Sequence, residues 1–533
     1  MIQRTEKFKQ FPLNIAGSST FGRYPKISLE KTYNMFISDG WLVDYAGYKS
    51  IRTISSGNKG RGLYASSRIN KMIAVLGNTV YSIDNGFNVA NIGTIETFAG
   101  DVFIDENNIN QIAICDKSQL YFYNYVANTF TKATADGTNP IDFTPGYVTF
   151  HDGRFISPNV SPVNNPAQWR LSLTTDGSQW PDDAQHVGAI QTKPDYAVAT
   201  QRFPGRGNLI LIMGSNVTEL WNDVGLQLFP YQRNNALSID YGCLNPATIA
   251  ATDNVVMYLA GNELSGPQIM VTTGSEIKPV HTDGIDFLLT HLSSPESSSA
   301  FFFKQDGHLI YQITFYDPKD NLTILYDFST DKFYKACDQN QNYHIAKEVV
   351  FFNNAYYFLS FNDGNLYQMD TTFTTFQTDK ETFEIPRIRI CPPVRFPDSS
   401  YFVVNSGTFT MEMGTETFNV SNQCSYLAEE NGTVLTEEFL PSPTQEPVSL
   451  CEENIFDPFA LRNAYQPRVD LNISTDGGYT FGSEISYPVN PIGDRKNRIV
   501  YWGLGAANDF TVQVRFWGFG RFLATNGELG IYR

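Results

Sequence analysis

Apolar and polar residues alternate along most of this chain in runs of strand length, and the runs recur behind similar turns. A turn pair such as Asp-Gly, Asn-Asn or Lys-Ser is followed by aromatic and β-branched residues, which is the pattern of a β-hairpin. Such runs begin at residues 79, 119, 154, 216, 255, 308 and 355, at intervals of 40, 35, 62, 39, 53 and 47 residues. Spacings of about 40 to 50 residues are typical of the blades of a β-propeller. The sequence therefore predicts an all-β propeller.

We expect six or seven blades, because the 62-residue interval is wide enough to hold a blade without a clear turn. The 533 residues are enough for two or three domains. The prediction is an extended N-terminal arm at 1–55, the propeller at 56–375, and a second antiparallel β domain at 376–533 with an acidic, loop-rich insertion near 396–461. Helix signals are few, so we expect less than about a tenth of the chain to be helical.

Composition narrows the class of protein. Aromatic residues make up 14% and charged residues 17% of the chain, which suits packed sheets. Apolar runs such as NLILIMG are far shorter than a membrane helix requires, and MIQRTEKFKQFPL lacks the apolar core of a secretion signal. We therefore expect a soluble protein made in the cytoplasm. The six cysteines and six histidines are scattered, so we expect buried, unpaired thiols, no metal site and no cofactor.

Charge is unevenly distributed along the chain. Residues 1–75 contain 12 Lys or Arg and 4 Asp or Glu, whereas residues 76–533 contain 26 and 51. No Lys or Arg occurs between residues 396 and 461. A positive arm on a negative body is consistent with docking onto an acidic partner or a neighbouring copy, and equally with solvated faces that bind nothing.

Strong local signatures of nucleotide, zinc, acyl-transfer and calcium chemistry are absent from the sequence. One motif has a catalytic association: STDGGYTF at 474–481 is similar to the Asp-box of sialidases and other propellers. In that motif the aspartate caps a turn and performs no chemistry, so we expect Asp476 to stabilise a hairpin. Paired carboxylates of a glycoside hydrolase could still converge from distant positions. A host-surface glycan-binding or glycan-degrading protein, with Trp169 and Trp180 as exposed aromatics, is therefore the alternative function.

Several segments together resemble a known family. They are DGSQW at 176–180, KPD at 193–195, ELWNDVG at 219–225, FPYQR at 229–233 and DYGC at 240–243. Segments near both ends, TYNMF with WLVDYAGYKSI and STDGGYTF with NRIVYWGLGAANDFTVQVRFWG, extend the likeness over most of the chain. In this order they are similar to the packaged-DNA stabilisation proteins, the tail hub or nozzle proteins of short-tailed bacteriophages.

The resemblance implies a virion structural protein of the phage tail rather than an enzyme. It implies a ring of six copies beneath the portal and its adaptor ring, with a channel through which genomic DNA passes without sequence-specific binding. The ring would retain packaged DNA together with a tail plug or needle, conduct DNA during ejection, and carry tail fibres or spikes. A propeller that serves as an interaction platform in an unrelated setting is a further alternative.

Charge suggests which residues would line and dock such a ring. An acidic wall repels phosphates and so lets DNA slide. The expected channel-lining residues are Glu429, Glu430, Glu437 and Glu438. The residues expected to dock on the adaptor ring or an adjacent subunit are Arg4, Lys7, Lys9, Arg23, Lys26 and Lys31.

Overall fold

The structure is a computed structural model that describes residues 8–21, 30–226, 228–252, 254–273, 276–413, 468–489, 497–518, 520–525 and 527–532. The chain divides into two compact units. The larger unit contains residues 18–35 and 45–383, and the smaller unit contains residues 1–17, 36–44 and 384–533. The first 55 residues are thus divided between the two units. The predicted boundaries at 55 and 375 stay predictions.

Five strands precede the first repeat of the chain. They are β1 (Phe8–Leu13), β2 (Lys31–Tyr33), β3 (Met35–Ser38), β4 (Trp41–Asp44) and β5 (Gly47–Thr53).

Seven consecutive antiparallel sheets make up most of the larger unit. The first three are β6 (Gly60–Ser66), β7 (Lys71–Leu76), β8 (Thr79–Ile83) and β9 (Val89–Thr94); β10 (Phe103–Glu106), β11 (Gln111–Cys115), β12 (Leu120–Asn124) and β13 (Thr129–Lys132); β14 (Thr149–His151), β15 (Arg154–Pro158), β16 (Gln168–Leu171) and β17 (Val187–Ala189).

The next two sheets are β18 (Ala197–Arg202), β19 (Leu209–Gly214), β20 (Thr218–Asp223) and β21 (Tyr231–Ile239); β22 (Gly242–Cys243) and β23 (Ala250–Thr252), which both pair with β24 (Val255–Gly261), then β25 (Gln268–Thr272) and β26 (Ile277–Pro279). The last two are β27 (Ser298–Gln305), β28 (His308–Phe315), β29 (Leu322–Asp327) and β30 (Lys332–Ala336); β31 (Ala346–Phe352), β32 (Ala355–Ser360) and β33 (Asn365–Asp370) with β5.

The seven sheets close into a ring, so they are the blades of a propeller. The first strand of one blade packs on that of the next, from β6 to β10, β14 and β18, and from β23 to β27 and β31. The fourth and fifth blades meet through β19 and β22, and β31 returns to β6. Strand β5, from the start of the unit, completes the last blade by pairing antiparallel with β33. The prediction of an all-β propeller with additional antiparallel sheets is confirmed.

The repeated turn marks one hairpin in every blade, but not always the same hairpin. It precedes the third strand in the first, second and fourth blades and the second strand in the others. This alternation explains the uneven intervals, and the 62-residue interval contains no additional blade, so the seven blades lie within the six or seven expected. Three of the turns have two consecutive residues with positive φ, as two-residue hairpins of matching twist require: Asp152-Gly153, Asp306-Gly307 and Asn353-Asn354.

Helix is rare in the described residues, as the sequence predicts. PATIAATDN contributes a 3₁₀ turn, Pro246–Thr248, and the sequence analysis missed one helix, α1 (Asp283–Thr290). Thr282 caps α1 by accepting a hydrogen bond from the Ile285 N–H. Ile285 and Leu289 then bury themselves in the core of the fifth and sixth blades. Among the described residues, no helix has both the length and the apolarity needed to cross a membrane.

Two sheets form the smaller unit. The remaining strands of the chain are β34 (Thr375–Gln377), β35 (Thr382–Glu384), β36 (Arg387–Ile390), β37 (Phe402–Met413), β38 (Arg468–Ser474), β39 (Ile485–Pro488), β40 (Asn497–Ala507), β41 (Thr511–Trp517), β42 (Phe522–Ala524) and β43 (Gly527–Tyr532). In the smaller unit one sheet has the order β1-β43-β37-β42-β4-β3, with β40 on β37, and the other has the order β36-β41-β38-β39. They face each other, since the Tyr501 hydroxyl donates to the Val469 carbonyl at 2.6 Å.

Candidate functional site

The predicted channel-lining residues, Glu429, Glu430, Glu437 and Glu438, lie outside the described residues. The same holds for four of the six predicted docking residues, Arg4, Lys7, Arg23 and Lys26. The structure describes the other two, and it places them in different units. Lys9 is exposed on β1, opposite Ile531 of β43. Lys31 lies half-buried on β2 of the larger unit.

Lys31 belongs to a pair of lysines. It lies near Lys335 of β30, and burial together with the charge of Lys31 lowers the pKa of Lys335 to about 8. The Lys335 ammonium lies 5.0 Å from the Phe21 ring centroid and 5.6 Å from that of Tyr33. Within the part of the chain that the structure describes, neither lysine has a carboxylate partner. This pair is therefore a local positive charge on a negatively charged protein.

The inner strands of the propeller carry carboxylates that the sequence analysis did not single out. Asp101 precedes β10 and is buried, and two lysines hold it: Lys117 at 3.2 Å and Lys347 of the last blade at 3.0 Å. Together they lower the pKa of the Asp101 carboxyl in spite of its burial. The ion pairs join the second blade to the seventh across the first.

Two more inner carboxylates accept hydrogen bonds from a neighbouring blade. Asp105 of β10 accepts from the Phe150 N–H of β14 at 2.7 Å, and Glu348 of β31 accepts from the Leu63 N–H of β6 at 2.9 Å. Burial raises the pKa of Asp105, and it raises the pKa of Glu348 to about 8. The signal available in the sequence was an acidic residue inside an alternating strand, as in FIDE and AKEVV.

Charged groups of one blade also act on tyrosines near the inner strands of another. Tyr147 lies before β14, yet the charges of both Asp105 and Glu348 of the last blade act on it and, with burial, raise the pKa of its hydroxyl. Arg202 of the fourth blade acts in turn on Tyr64 of the first. Charged groups of the seventh and fourth blades thus act on tyrosines that belong to other blades.

The residues that carry the family resemblance stabilise turns between strands. The buried Glu219 carboxylate accepts hydrogen bonds from the Gln191 and Thr192 N–H groups at 2.8 and 2.6 Å and from the Trp221 indole at 2.9 Å. Asp195 similarly accepts from the Asn216 and Val217 N–H groups at 2.8 and 2.9 Å. Every such donor would be left unpaired without the carboxylate, which explains why these positions need an acid.

The Asp-box forms the turn between β38 and β39. Asp476 accepts hydrogen bonds from the N–H groups of Tyr479 and Thr480 at 2.9 and 3.0 Å and from the Ser474 and Thr480 hydroxyls, both at 2.6 Å. These bonds hold the pKa of Asp476 well below its usual range. Gly477 and Gly478 both have positive φ, of 78° and 93°. Both oxygens of Asp476 accept hydrogen bonds within the turn, so this side chain stabilises the hairpin.

The aromatic residues on which the glycan alternative rested are buried. We expected Trp169 and Trp180 to be exposed, but their exposed fractions are 0% and 1%. Trp169 packs edge-on against Trp221 and Phe229, both at 5.3 Å between ring centroids, and Trp180 packs on Phe143 at 5.6 Å. Both serve the blade cores. Cys115, Cys243, Cys337 and Cys391 are buried, and among the described residues no three His, Cys, Asp or Glu gather in the manner of a metal site.

Comparison with known families identifies the propeller. Residues 19–374 match the family described as "Bacteriophage P22 Gp10, beta-propeller", which covers two thirds of the chain. The chain belongs to this family. It is therefore a structural protein of a phage tail, from a family that stabilises packaged DNA. The family likeness read from the sequence is confirmed.

Other comparisons add little to the family assignment. A sequence search among curated proteins finds no match. Solved structures similar to the chain include a streptogramin B lyase (13% identity, TM-score 0.41, covering 62% of this chain and 99% of that one). A catalytically inactive variant of virginiamycin B lyase from Staphylococcus aureus is also similar (12% identity, TM-score 0.41, covering 61% of this chain and 99% of that one). The N-terminal domain of Nup159 is similar too (9% identity, TM-score 0.37, covering 64% of this chain and 99% of that one). Likeness at this level carries no argument about function.

Proposed function

We propose that the chain forms the nozzle or hub of the phage tail, as a ring of six copies that retains packaged DNA and conducts it during ejection. The observation that carries the proposal is the family match over residues 19–374 on a chain of net charge −17. Six copies together carry about −100, that is 6 × −17. A wall of this net charge repels the phosphates of DNA, so the polyanion slides rather than adheres.

The conduit in this proposal lies between copies and not along the axis of one propeller. Phe103 of the second blade and Tyr147, just before the third, pack with 4.5 Å between ring centroids. In the proposed ring, an opening formed by several copies would hold the duplex. The acidic residues 429, 430, 437 and 438 remain our candidates for its lining.

The test is assembly on the portal. The purified chain, mixed with a portal and adaptor complex of the same phage, should add a ring of six copies that electron microscopy resolves as a hollow extension. Virions assembled without the chain should package DNA and then lose it. The proposal would be contradicted by a chain that stays monomeric in the presence of the complex, or by virions that keep their DNA when the chain is absent.

We further propose that the basic N-terminal residues dock the ring on the adaptor or on an adjacent copy. Deleting the arm is a poor test, because β1 pairs over its full length with β43 and belongs to the smaller unit. Charge reversal keeps the strand. The triple variant Arg4→Glu, Lys7→Glu, Lys9→Glu should lose adaptor binding at physiological salt, whereas the matched variant Lys49→Glu, Arg52→Glu, Lys59→Glu should keep it. Equal binding by both variants would remove the docking role.

The proposed partners follow from this placement in the virion. They are other copies of the chain, the portal adaptor ring, a tail fibre or spike, and a tail plug or needle, with genomic DNA passing without sequence-specific contacts. The glycan alternative is not carried forward, because Asp476 is engaged in its turn and both tryptophans are buried.

A further inference from the structure

A cavity of about 560 Å³ lies between the outer strands of the third and fourth blades. Strand β17 of the third blade lines one side of it, and the first half of β21 lines the other. Trp221, Phe229 and Tyr231 contribute rings, and most of the remaining lining is polar. Its volume is within the range of ligand sites in proteins.

Strand β17 turns an open edge of main chain to this cavity. On its inner side, the Leu171 N–H donates to the His186 carbonyl at 2.9 Å, and the Ile190 N–H donates to the Ala167 carbonyl at 3.0 Å. Inward and outward residues alternate in an antiparallel ladder, so the N–H and C=O groups of residues 187 and 189 point away from β16. Within the described part of the chain, these four groups have no hydrogen-bond partner.

Two other blades carry a fifth strand on their outer edge. Strand β2 pairs parallel with β30 of the sixth blade, and β34 pairs parallel with β5 of the seventh. Counting the described residues, the third blade has four strands, and β17 is the outermost. Outer edges of this propeller therefore accept an added strand, and the described chain leaves β17 without one.

The cavity presents no uncompensated charge. Arg233 is the charged side chain of its lining, and its guanidinium forms an ion pair with the buried Glu219 at 3.4 Å. The Arg233 Nε donates to the Asn235 Oδ1 at 3.0 Å. An ion would gain little from a cation that is already paired, whereas an added strand would supply acceptors and donors for the open edge of β17.

Exposed apolar side chains occur beside the cavity, on the loop between β20 and β21. The Val224 N–H closes this loop by donating to the Pro230 carbonyl at 2.9 Å. Val224 is 46% exposed, Leu226 57% and Leu228 76%, and Leu228 precedes the cavity residue Phe229. Three exposed apolar residues within five positions favour coverage by a partner protein over a small ligand.

We propose that β17 accepts a fifth strand from a partner protein, an extended and uncharged segment that carries an apolar side chain for the loop at 224–230. The main chain of this segment would bond to Val187 and Ala189, which is recognition of a peptide by strand addition. Successive side chains of a strand alternate between its two faces, so every second one would face the cavity. Recognition thus rests on main-chain hydrogen bonds and an apolar contact.

Hydrogen exchange of the full-length chain tests the edge. The probe is the peptide acetyl-STVTVTS-amide, which is neutral and rich in residues that favour strands. At millimolar concentration it should slow exchange of the Val187 and Ala189 amides about fivefold or more, because each amide gains an acceptor. The amides of β13, the outer strand of the second blade, should exchange as before.

Substitutions at the edge and at the loop should weaken the probe in calorimetric titration. Ala189→Pro removes an outward N–H without breaking a bond to β16, and affinity should fall about tenfold or more. Leu228→Ser should lower affinity about threefold or more.

Each substitution has a matched control that should leave affinity unchanged. Lys132→Pro is the same change at an outward position of β13, since the next residue, Ala133, donates inward to the Leu120 carbonyl. Leu264→Ser is the same change at a leucine that is 96% exposed on another blade.

Four outcomes would overturn the proposal. They are no saturable binding of the probe to the wild-type chain, equal protection of β13 and β17, equal affinity for the probe with every amide N-methylated, and equal affinity of Ala189→Pro and the wild-type chain. Self-association that sedimentation detects in the wild-type chain and not in Ala189→Pro would assign the edge to a second copy, which also overturns the proposed partner. The proposal is independent of ring assembly, so failure of either leaves the other standing.

Discussion

The larger and the smaller unit are both antiparallel β structure, but they use the chain in different ways. Each propeller blade is a run of consecutive strands joined by short connections, to which β5 and β2 are added from the start of the chain, on β33 and β30. The smaller unit combines three separate segments, so that β1 pairs with β43 and β4 with β42. The family match at 19–374 covers the first kind of structure and hardly touches the second. Local pairing makes a fold easy to detect in sequence.

The largest effect should come from breaking the smaller unit at Arg387. This buried guanidinium joins the segments, since it ion-pairs with Asp44 at 2.6 Å and donates to the Gly518 carbonyl at 2.9 Å. Arg387→Gln leaves Asp44 buried without its cation and should cost about 3–5 kcal/mol. Hydrogen exchange should accelerate in 387–413 and 497–525 and not in the blades.

Arg395→Gln is the matched control in the same unit. Its ion pair with Asp509, at 2.5 Å, is partly exposed, so we expect a cost below about 1 kcal/mol. If hydrogen exchange accelerated equally in the propeller after Arg387→Gln, the role of Arg387 in joining the segments of the smaller unit would be contradicted.

Glu219→Ala is the corresponding destabilising substitution in the propeller. It leaves the N–H groups of Gln191 and Thr192 and the Trp221 indole without their acceptor, which should cost about 3 kcal/mol in the free energy of unfolding. Chemical denaturation followed by tryptophan fluorescence measures the change. Glu263→Ala, at an exposed position, should stay within about 0.5 kcal/mol, and a similar cost for both variants would contradict the role of Glu219.

Acid should weaken the propeller through His344. This fully buried ring has its pKa lowered by burial to about 3, against 6.5 when exposed. Below pH 6.5 the unfolded chain therefore binds a proton at this ring that the folded chain does not bind. The free energy of unfolding falls by about 1.4 kcal/mol per pH unit from pH 6.5 towards 3. His344→Gln should flatten this slope, whatever its effect at neutral pH.

Glu348 acts in the opposite direction. Its folded pKa of about 8 lies above 4.5, so folding takes up a proton there and stability rises as pH falls from 8 to 4.5. Unfolding measured in the Glu348→Gln background isolates the histidine. An unchanged slope for the double variant between pH 6.5 and 3 would exclude His344 as its source.

The smallest effects should separate two buried tyrosines, one just before β5 and one on it. Tyr45 donates to Gln312 at 2.7 Å, whereas the Tyr48 hydroxyl is buried without a partner among the described residues. Tyr45→Phe should cost about 1 kcal/mol, and Tyr48→Phe should be neutral or stabilising by up to about 1 kcal/mol. Thermal unfolding of the two variants side by side is sufficient, and equal losses would contradict the assignment.

The sequence permitted prediction where structure is local. Asp152-Gly153 and Asn353-Asn354 indicated hairpins because their residues accept positive φ, and the propeller followed from their spacing. The pairing of Phe8 with Tyr532 has no local signal, so the sheets of the smaller unit were predicted only as a β domain. Helix α1 had a cap at Thr282 and two acids in its first turn, and its shortness concealed it.

The candidate site was less predictable than the fold. Glu348 and the Leu63 N–H that it accepts are 285 residues apart, so only the closed ring brings them together. The aromatic residues we took as exposed, Trp169 and Trp180, are large apolar side chains in alternating strands, and burial was the better expectation for them. The lumen candidates Glu429 and Glu438 lie outside the described residues and stay predictions.

Closure of the ring by β5 sets an order of events at the ribosome. Gly47–Thr53 is synthesised before every blade, but its partner β33 ends only at Asp370. At about 5–20 residues per second, roughly 15 to 60 s pass before the nascent chain can complete its last blade. During that time the β5 backbone has none of its β33 hydrogen bonds, and it is the segment that a chaperone in the infected cell would have most reason to shield.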